Sequence, residues 1–212
     1  MDDILTVIAD ALQEGENELV EAKTLEALAN GITPFSILHN GLLHGMNVMG
    51  EKWKNEEVYM PEVLIAAQAM HAGMNILKPY LAETGVEPIG KVVLGTVKGD
   101  LHDIGKNLVS MMFVGAGMEV IDLGVDVHED TFIEAIKEHK PQILAMSALL
   151  TTTMSEMRVV IDSLIGAGVR EQVKVMVGGA PVTENFAQRI GADAYALDAA
   201  VAADVAREMM IA

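Results

Sequence analysis

An aspartate and a histidine stand two residues apart in a segment that suits metal chemistry. Asp100 and His102 lie in the run Gly-Thr-Val-Lys-Gly-Asp-Leu-His-Asp-Ile-Gly, residues 95–105, at the end of an apolar predicted strand. An imidazole that binds a metal through one nitrogen usually donates its other N–H to a carboxylate, which fixes the tautomer. Asp100 can accept that hydrogen bond from His102. One histidine is too few for a metal site built from protein alone, so we expect the metal to arrive inside a cofactor that supplies the remaining ligands.

Two further predicted strands end in residues that suit a bound cofactor. The third strand ends in the run 147–151, which contains Ser147, Leu149 and Thr151, and the fourth ends in Gly178-Gly179. A glycine pair lets a bulky group approach the sheet edge closely, because no side chain intervenes. Ligands of parallel sheets bind beyond the carboxyl ends of the strands, so we expect these loops to form one site.

The elements that must position these loops follow from alternating patterns in residues 91–212. Short β-branched runs predict strands at 91–97, 119–123, 142–147, 173–177 and 194–196. Helical patterns follow them, at 103–115, 129–139, 153–166, 183–190 and from about 199. Apolar strands that each precede a helix indicate a parallel sheet covered on both faces. The pattern predicts an α/β domain with a five-stranded, flavodoxin-like (Rossmann-type) sheet.

The first part of the chain has a different pattern and reads as helical throughout. Apolar residues recur at spacings of three and four, Gly31 suits a helix C-terminus, and Thr33-Pro34 suits a helix start. Four amphipathic helices with short connections predict an all-α four-helix bundle. We therefore predict a helical domain at 1–84, a linker at 85–90 and an α/β domain at 91–212.

Several familiar sites do not match the motifs. Gly95, Gly99 and Gly105 are too widely spaced for a dinucleotide-binding turn, and Asn107 stands where a phosphate-binding loop needs a hydroxyl. A receiver domain needs an acceptor aspartate at the end of the third strand, where Ser147 stands. The sequence contains no G-x-S-x-G, so a serine hydrolase of that type is excluded.

Composition excludes further classes. The chain has 212 residues, no cysteine, 31 acidic and 14 basic residues, and a net charge of −17. Such an acidic chain without a basic patch is not expected to bind nucleic acid. The lack of cysteine excludes disulfides, zinc ribbons and iron–sulfur ligation. No run reaches the roughly 20 apolar residues of a membrane helix, and no signal-peptide pattern begins the sequence, so we expect a cytoplasmic protein without membrane partners.

Three motifs, taken in order, resemble the signature of a known family. Asp100-x-His102-x-x-Gly105, Ser147-x-Leu149 and Gly178-Gly179 are similar to the signature of cobalamin-binding domains. Their spacing resembles that of corrinoid methyl-transfer proteins and of the cobalamin module of methionine synthase. In the helical half, runs such as Tyr59-Met60-Pro61-Glu62 resemble the helical cap of the same proteins. The resemblance covers essentially the whole chain.

The resemblance implies a role for each candidate residue. His102 would be the lower axial ligand of cobalt in place of the displaced benzimidazole, and Asp100, with Ser147 behind it, would form a hydrogen-bonded relay to it. Trp53 and Met60 would cover the upper face of the corrin. The remaining cofactor-binding positions would be Asp103, Gly105, Leu149, Thr151, Gly178, Gly179, Tyr195 and Ala199.

The implied function is that of a methyl carrier without catalytic residues of its own. The cobalt of bound cobalamin would shuttle a methyl group between a substrate:corrinoid methyltransferase and a methylcorrinoid:acceptor methyltransferase. The acceptor would be tetrahydrofolate or coenzyme M, and a reductive activase would be a third partner. Because partner enzymes would have to displace the helical cap to reach the cobalt, we expect a hinge within 82–90.

Three other functions remain open from the sequence. The chain could be the cobalamin subunit of a carbon-skeleton mutase, a cobalamin-dependent sensor, or a flavodoxin-like module for another ligand. The helical cap argues against the mutase, and the lack of a DNA-reading helix in the first 84 residues argues against the sensor. His71, His128 and His139 belong to no such constellation, and we expect them at the surface.

Overall fold

The computed structural model describes residues 4–84 and 88–211, which form two compact units. The first unit comprises the residues up to Pro88 together with Gly115–Gly117, and the second comprises Ile89–Val114 and the residues from Met118 onward. Residues 85–87 of the predicted linker lie outside the described residues, so the hinge expected there stays a prediction.

The first unit is helical, with four helical runs as predicted. The third run is continuous but changes type, because a π-helical segment separates two α-helical pieces. The elements are α1 (Ile4–Gln13), α2 (Asn17–Ala29), α3 (Pro34–Ile37), the π-helix (Leu38–Leu43), α4 (His44–Lys54) and α5 (Met60–Thr84).

The predicted helix ends of this unit are confirmed. Gly31 follows α2 with a φ of 78°, a left-handed conformation that glycine adopts without strain. The Thr33 hydroxyl accepts a hydrogen bond of 3.2 Å from the backbone N–H of Ser36 and so caps α3. Phe35 follows the helix start at Pro34, but its side chain is exposed, and its ring centroid lies 4.1 Å from that of His39.

The second unit is a five-stranded, all-parallel sheet with helices between the strands, which confirms the predicted fold class. The strand order is β2-β1-β3-β4-β5. The strands are β1 (Lys91–Thr96), β2 (Glu119–Asp122), β3 (Ile143–Ser147), β4 (Lys174–Gly178) and β5 (Ala194–Ala196). The helices are α6 (Ile104–Gly115), α7 (Glu129–His139), α8 (Met154–Gly166), α9 (Glu184–Ile190) and α10 (Ala199–Ile211), with a 3₁₀ turn at Arg170–Gln172.

The register of the sheet aligns the strand ends that carry the candidate residues. Thr96 pairs with Ser147, Ser147 with Gly178, and Gly178 with Ala196. The loops that follow β1, β3, β4 and β5 therefore leave the sheet at one level, along its carboxyl edge.

A continuous apolar core on the face covered by α7 and α8 holds this edge in place. Phe132 of α7 is fully buried and packs against Gly95 of β1. A Cβ at Gly95 would lie 2.8 Å from the Cε1 atom of Phe132, so β1 needs glycine at this position. Burial of such side chains supplies most of the driving force for folding, at roughly 25 cal/mol per Å² of apolar surface. No helix within residues 4–84 and 88–211 is long and apolar enough to cross a membrane.

Candidate functional site

Asp100 is the most heavily hydrogen-bonded side chain at the carboxyl edge of the sheet. It lies in the loop between β1 and α6 and is fully buried. Its Oδ1 atom accepts hydrogen bonds from the backbone N–H (3.1 Å) and from Nδ1 (2.7 Å) of His102. Its Oδ2 atom accepts from the backbone N–H groups of Leu149 (2.8 Å) and Leu150 (3.2 Å) and from the hydroxyl of Thr153 (2.7 Å). Five donors therefore hold both oxygens in place.

These donors also fix the charge of the carboxylate. Burial by itself would raise the pKa of Asp100, because a buried charge loses its hydration. The hydrogen bonds from Thr153, from the Leu149 N–H and from His102 outweigh burial and lower the pKa of Asp100 well below its usual range. Asp100 is thus an ionised acceptor at any physiological pH.

The ionised carboxylate orients the imidazole of His102. Because Asp100 can only accept, Nδ1 of His102 carries the hydrogen of their 2.7 Å bond, and in the neutral imidazole the lone pair is then on Nε2. The His102 side chain is 50% exposed, so the ring stands partly outside the protein surface. This is the arrangement of a histidine that binds a metal through Nε2 with a carboxylate behind it.

Two glycines at the edge have different steric surroundings. Gly179 has a φ of 123°, and a Cβ there would lie 2.0 Å from the carbonyl oxygen of Ala148, so no other residue fits. A Cβ at Gly105, in the first turn of α6, would meet nothing within 4 Å. The edge is therefore closely packed beside β3 and β4 and open beside α6.

Large apolar side chains are exposed along the same edge. Leu101 and Ile104 follow β1, Leu149 and Leu150 follow β3, and Leu197 follows β5, with exposed fractions from 41% to 74%. Exposed apolar side chains that share one edge of a sheet mark a surface suited to an apolar ligand.

Comparisons with known proteins match most of the chain to one family. Two family models, both described as a B12 binding domain, match residues 90–206 and 4–78. The chain belongs to the family of B12-binding corrinoid proteins. Cobalamin is therefore the cofactor of this corrinoid protein.

Individual relatives agree with the family match. The trimethylamine corrinoid protein of Methanosarcina barkeri is 44% identical, over 92% of this chain and 90% of its own. The dimethylamine corrinoid protein 2 of Methanosarcina acetivorans is 42% identical, over 99% of this chain and 97% of its own. A chain of the methanol:cobalamin methyltransferase complex MtaBC of Methanosarcina barkeri has a TM-score of 0.89 and 31% identity, over 99% of this chain and 80% of that one.

The residues of this corrinoid protein fit cobalamin. Within the described parts of the chain, no group of three or more histidine, aspartate or glutamate side chains could hold a metal ion. A metal at His102 therefore needs its other ligands from a cofactor, and a corrin supplies four nitrogens. The open surface at Gly105 and the exposed leucines leave room for a large, mostly apolar ring.

One predicted role is corrected by the structure. The hydroxyl that donates to Asp100 belongs to Thr153 and not to Ser147, which makes no hydrogen bond with Asp100. Ser147 lies within the sheet, paired with Thr96 and Gly178, whereas Thr153 directly precedes α8 and is buried. A helix-start threonine usually caps its own helix, but the Thr153 side chain makes no such bond. The sequence signal for this hydroxyl is the run of three consecutive threonines at 151–153, after β3.

The other candidate residues lie at several places in the two units. In the second unit, Asp103 and Thr151 are exposed, Gly178 and Tyr195 are partly buried, and Ala199 is buried at the start of α10. Trp53, near the end of α4, is partly buried, and Met60, at the start of α5, is exposed. Their contacts with the cofactor stay predictions.

Lys106 is a buried charged residue beside the candidate site. It lies in the first turn of α6, is 3% exposed, and forms an ion pair with Asp122 at the end of β2. Its ammonium also donates to the side chain of Asn107 at 2.7 Å. The ammonium group is thus engaged with protein acceptors, and the ion pair ties α6 to β2.

Proposed function

We propose that this corrinoid protein is the methyl carrier of a multi-component methyltransferase system, with His102 as the lower axial ligand of cobalt. The observation that carries the proposal is the geometry of His102. Its Nδ1 atom is bound by a buried, ionised Asp100, and its half-exposed ring keeps Nε2 available at the carboxyl edge of the sheet.

The chain's own residues would bind and orient the cofactor. His102 would bind the metal from below, and Asp100 would keep its ring in one tautomer and one orientation. The exposed leucines would contact the corrin, and the close approach of backbone at Gly179 would shape the edge for the nucleotide tail. Bound cobalamin would supply a cobalt ion that carries the methyl group.

Partner enzymes would perform the transfers to and from the cofactor. We propose a substrate-specific methyltransferase that loads the methyl group and a methylcorrinoid:acceptor methyltransferase that removes it, with tetrahydrofolate or coenzyme M as acceptor. A reductive activase would restore the cofactor after oxidation. Methylated amines are the donors we favour, because the relatives at 41–45% identity are named trimethylamine and dimethylamine corrinoid proteins.

The His102 assignment is tested by the absorption spectrum of protein loaded with hydroxocobalamin and desalted. The parent should retain corrin stoichiometrically, with benzimidazole displaced and a histidine on cobalt. His102→Ala should retain the fold but give five-coordinate or water-ligated cobalt. His128→Ala is the matched control, because His128 is 51% exposed and its Nδ1 lies 3.0 Å from Glu129. An unchanged His102→Ala spectrum would reject the axial role.

The position of the corrin is tested by adding one methyl group to an open surface. Gly105→Ala should leave the folded chain stable, because a Cβ there meets nothing, but should weaken cobalamin retention. Gly166→Ala, at the end of α8, also places a Cβ in open space and should leave retention unchanged. If both variants retain cobalamin equally well, the corrin does not lie beside Gly105.

The carrier role itself is tested by methyl transfer. Reduced, cobalamin-loaded protein should acquire radiolabel from methylated amines in the presence of a trimethylamine or dimethylamine methyltransferase, and His128→Ala should match the parent. A loaded, His102-ligated protein that neither of these enzymes nor a methanol methyltransferase can label would contradict the carrier role and favour a sensor.

A further inference from the structure

Thr96 binds the peptide of His102 from inside the sheet. It is the last residue of β1, its side chain is fully buried, and its hydroxyl donates to the carbonyl oxygen of His102 at 3.0 Å. A buried hydroxyl needs a partner, and this one lies six residues further along the chain, on the other side of the loop. The bond therefore closes the loop between β1 and α6.

Asp126 binds the opposite part of the same loop. Its Oδ1 atom accepts a hydrogen bond of 2.6 Å from the backbone N–H of Gly99, and its own N–H donates to the carbonyl oxygen of Asp100 at 3.0 Å. Asp126 has a φ of 54°, a left-handed conformation that is uncommon outside glycine. Such a conformation costs free energy and persists where surrounding contacts hold it.

The hydrogen bonds of Thr96 and Asp126 fix the backbone of the loop, which the hydrogen bond between the Asp100 and His102 side chains leaves free. The carboxylate of Asp100 sets the rotation of the imidazole, but the backbone of the loop sets the height and tilt of the ring above the sheet. Asp126 holds the backbone just before the Asp100 side chain, and Thr96 holds the backbone at His102. The two anchors come from β1 and from the segment after β2, elements that the core fixes.

We infer that Thr96 and Asp126 are positioning residues that hold the His102 loop in the geometry needed for metal binding through Nε2. In so far as the metal is cobalt, the inference rests on the proposed function. Neither residue needs to contact the cofactor. Each acts by holding the loop before the cofactor arrives, which lowers the entropic cost of forming the axial bond.

The Thr96 anchor is tested by a pair of variants that differ in one hydroxyl. Thr96→Val keeps the buried shape and the β-branched side chain, whereas Thr96→Ser keeps the hydroxyl. In cobalamin-loaded Thr96→Val, the ratio of histidine-ligated to unligated cobalt should fall about threefold to tenfold, the equivalent of one lost hydrogen bond. Thr96→Ser should restore most of the parent ratio.

The Asp126 anchor is tested by separating its hydrogen bond from its backbone conformation. Asp126→Gly adopts a positive φ without strain but lacks the acceptor, whereas Asp126→Asn keeps an acceptor oxygen and tolerates the left-handed region. Asp126→Gly should keep or exceed the parent's thermal stability, expose the Gly99 amide to faster hydrogen exchange, and lower the ligated ratio as Thr96→Val does. Asp126→Asn should stay near the parent.

A readout in the cofactor-free protein separates this inference from the proposed function. Long-range ¹H–¹⁵N spectra of His102 should show one tautomer and one ring environment in the parent and in Thr96→Ser, and broadened or multiple signals in Thr96→Val and Asp126→Gly. If the His102 signals change in Thr96→Val and Asp126→Gly while the parent binds no cobalamin, the positioning role is supported and the proposed function is rejected. The inference is overturned if both variants show the parent's His102 signals and the parent's ratio of histidine-ligated to unligated cobalt, whatever their thermal stability.

Discussion

Two histidine–carboxylate pairs in the second unit are alike in exposure and in distance, and they differ in how the carboxylate is held. His102 and His128 both follow strands at the carboxyl edge, both rings are about half exposed, and both place Nδ1 within 3.0 Å of a carboxylate oxygen. Asp100 is fully buried and accepts from five donors, whereas Glu129 lies in the first turn of α7 and is only partly buried, with its side chain 25% exposed. The carboxylates, and not the imidazoles, distinguish the pairs.

The difference shows what makes a histidine a preorganised ligand. A mobile carboxylate can follow its histidine, so a hydrogen bond to it restricts the ring only weakly. A carboxylate that is itself held by the chain transmits the rigidity of the sheet to the ring. Variants of the two pairs should therefore differ in their free energy of unfolding, in its pH dependence and in how well the imidazole ring is ordered.

The largest expected difference is between the two carboxylates. Asp100→Asn keeps the size of the side chain but turns an NH₂ group toward N–H and O–H donors, so we expect a loss of about 3 kcal/mol in the free energy of unfolding. Glu129→Gln should cost less than about 0.5 kcal/mol, because the pair lies at the surface with His128 half exposed and surface ion pairs contribute little. Chemical denaturation of both variants measures this, and equal losses would remove the distinction between the pairs.

The second difference is in the pH dependence of stability. The pKa of Asp100 is lowered in the folded state, so its contribution is fully present above the ordinary carboxyl pKa of about 4. As the pH falls further, toward the folded-state value, the unfolded chain binds the proton first, and the contribution is lost at up to about 1.4 kcal/mol per pH unit. The gap in unfolding free energy between the parent and Asp100→Asn should therefore narrow below about pH 4. If the difference in unfolding free energy between the parent and Asp100→Asn stays constant below about pH 4, the lowered pKa of Asp100 is contradicted.

Most of the fold was predictable because each element carries its own pattern. The strand and helix limits of the second unit lie within one residue of the predicted ones, since β-branched runs and helical spacings are local signals. The π-helix Leu38–Leu43 was not predictable, because one wider turn leaves apolar spacings of three and four almost unchanged. Its Gly41 lies against α1, where a Cβ would be 3.2 Å from Ile8.

The site was predictable where its members are close in sequence. The spacing of Asp100 and His102 was sufficient to expect their hydrogen bond, which the structure contains. Thr153 lies 53 residues from Asp100, and its contact exists only because β3 pairs with β1 in one particular register. The bond between Asp126 and Gly99 spans 27 residues and was not predictable for the same reason.

A smaller expected effect separates the donors of Asp100 from one another. Thr153→Val removes one hydroxyl that donates to Oδ2 at 2.7 Å and should cost about 1 kcal/mol, because four donors remain. Thr153→Ser should stay within about 0.5 kcal/mol of the parent. Thermal unfolding and the His102 ring signals measure the two consequences. A Thr153→Val variant as stable and as ordered as Thr153→Ser would show that the backbone donors alone fix the carboxylate.

The smallest expected effect concerns the second carboxylate beside His102. Asp103 adjoins His102 in sequence as Glu129 adjoins His128, and it is exposed. Its Oδ2 accepts a long bond of 3.3 Å from the side chain of Asn107, so Asp103→Asn should cost less than about 0.5 kcal/mol. The His102 tautomer should be unchanged in ¹H–¹⁵N spectra, because the ring is held by the buried carboxylate and not by the adjacent one. If Asp103→Asn disorders the ring as strongly as Asp100→Asn does, proximity rather than burial orients His102, and the contrast with His128 fails.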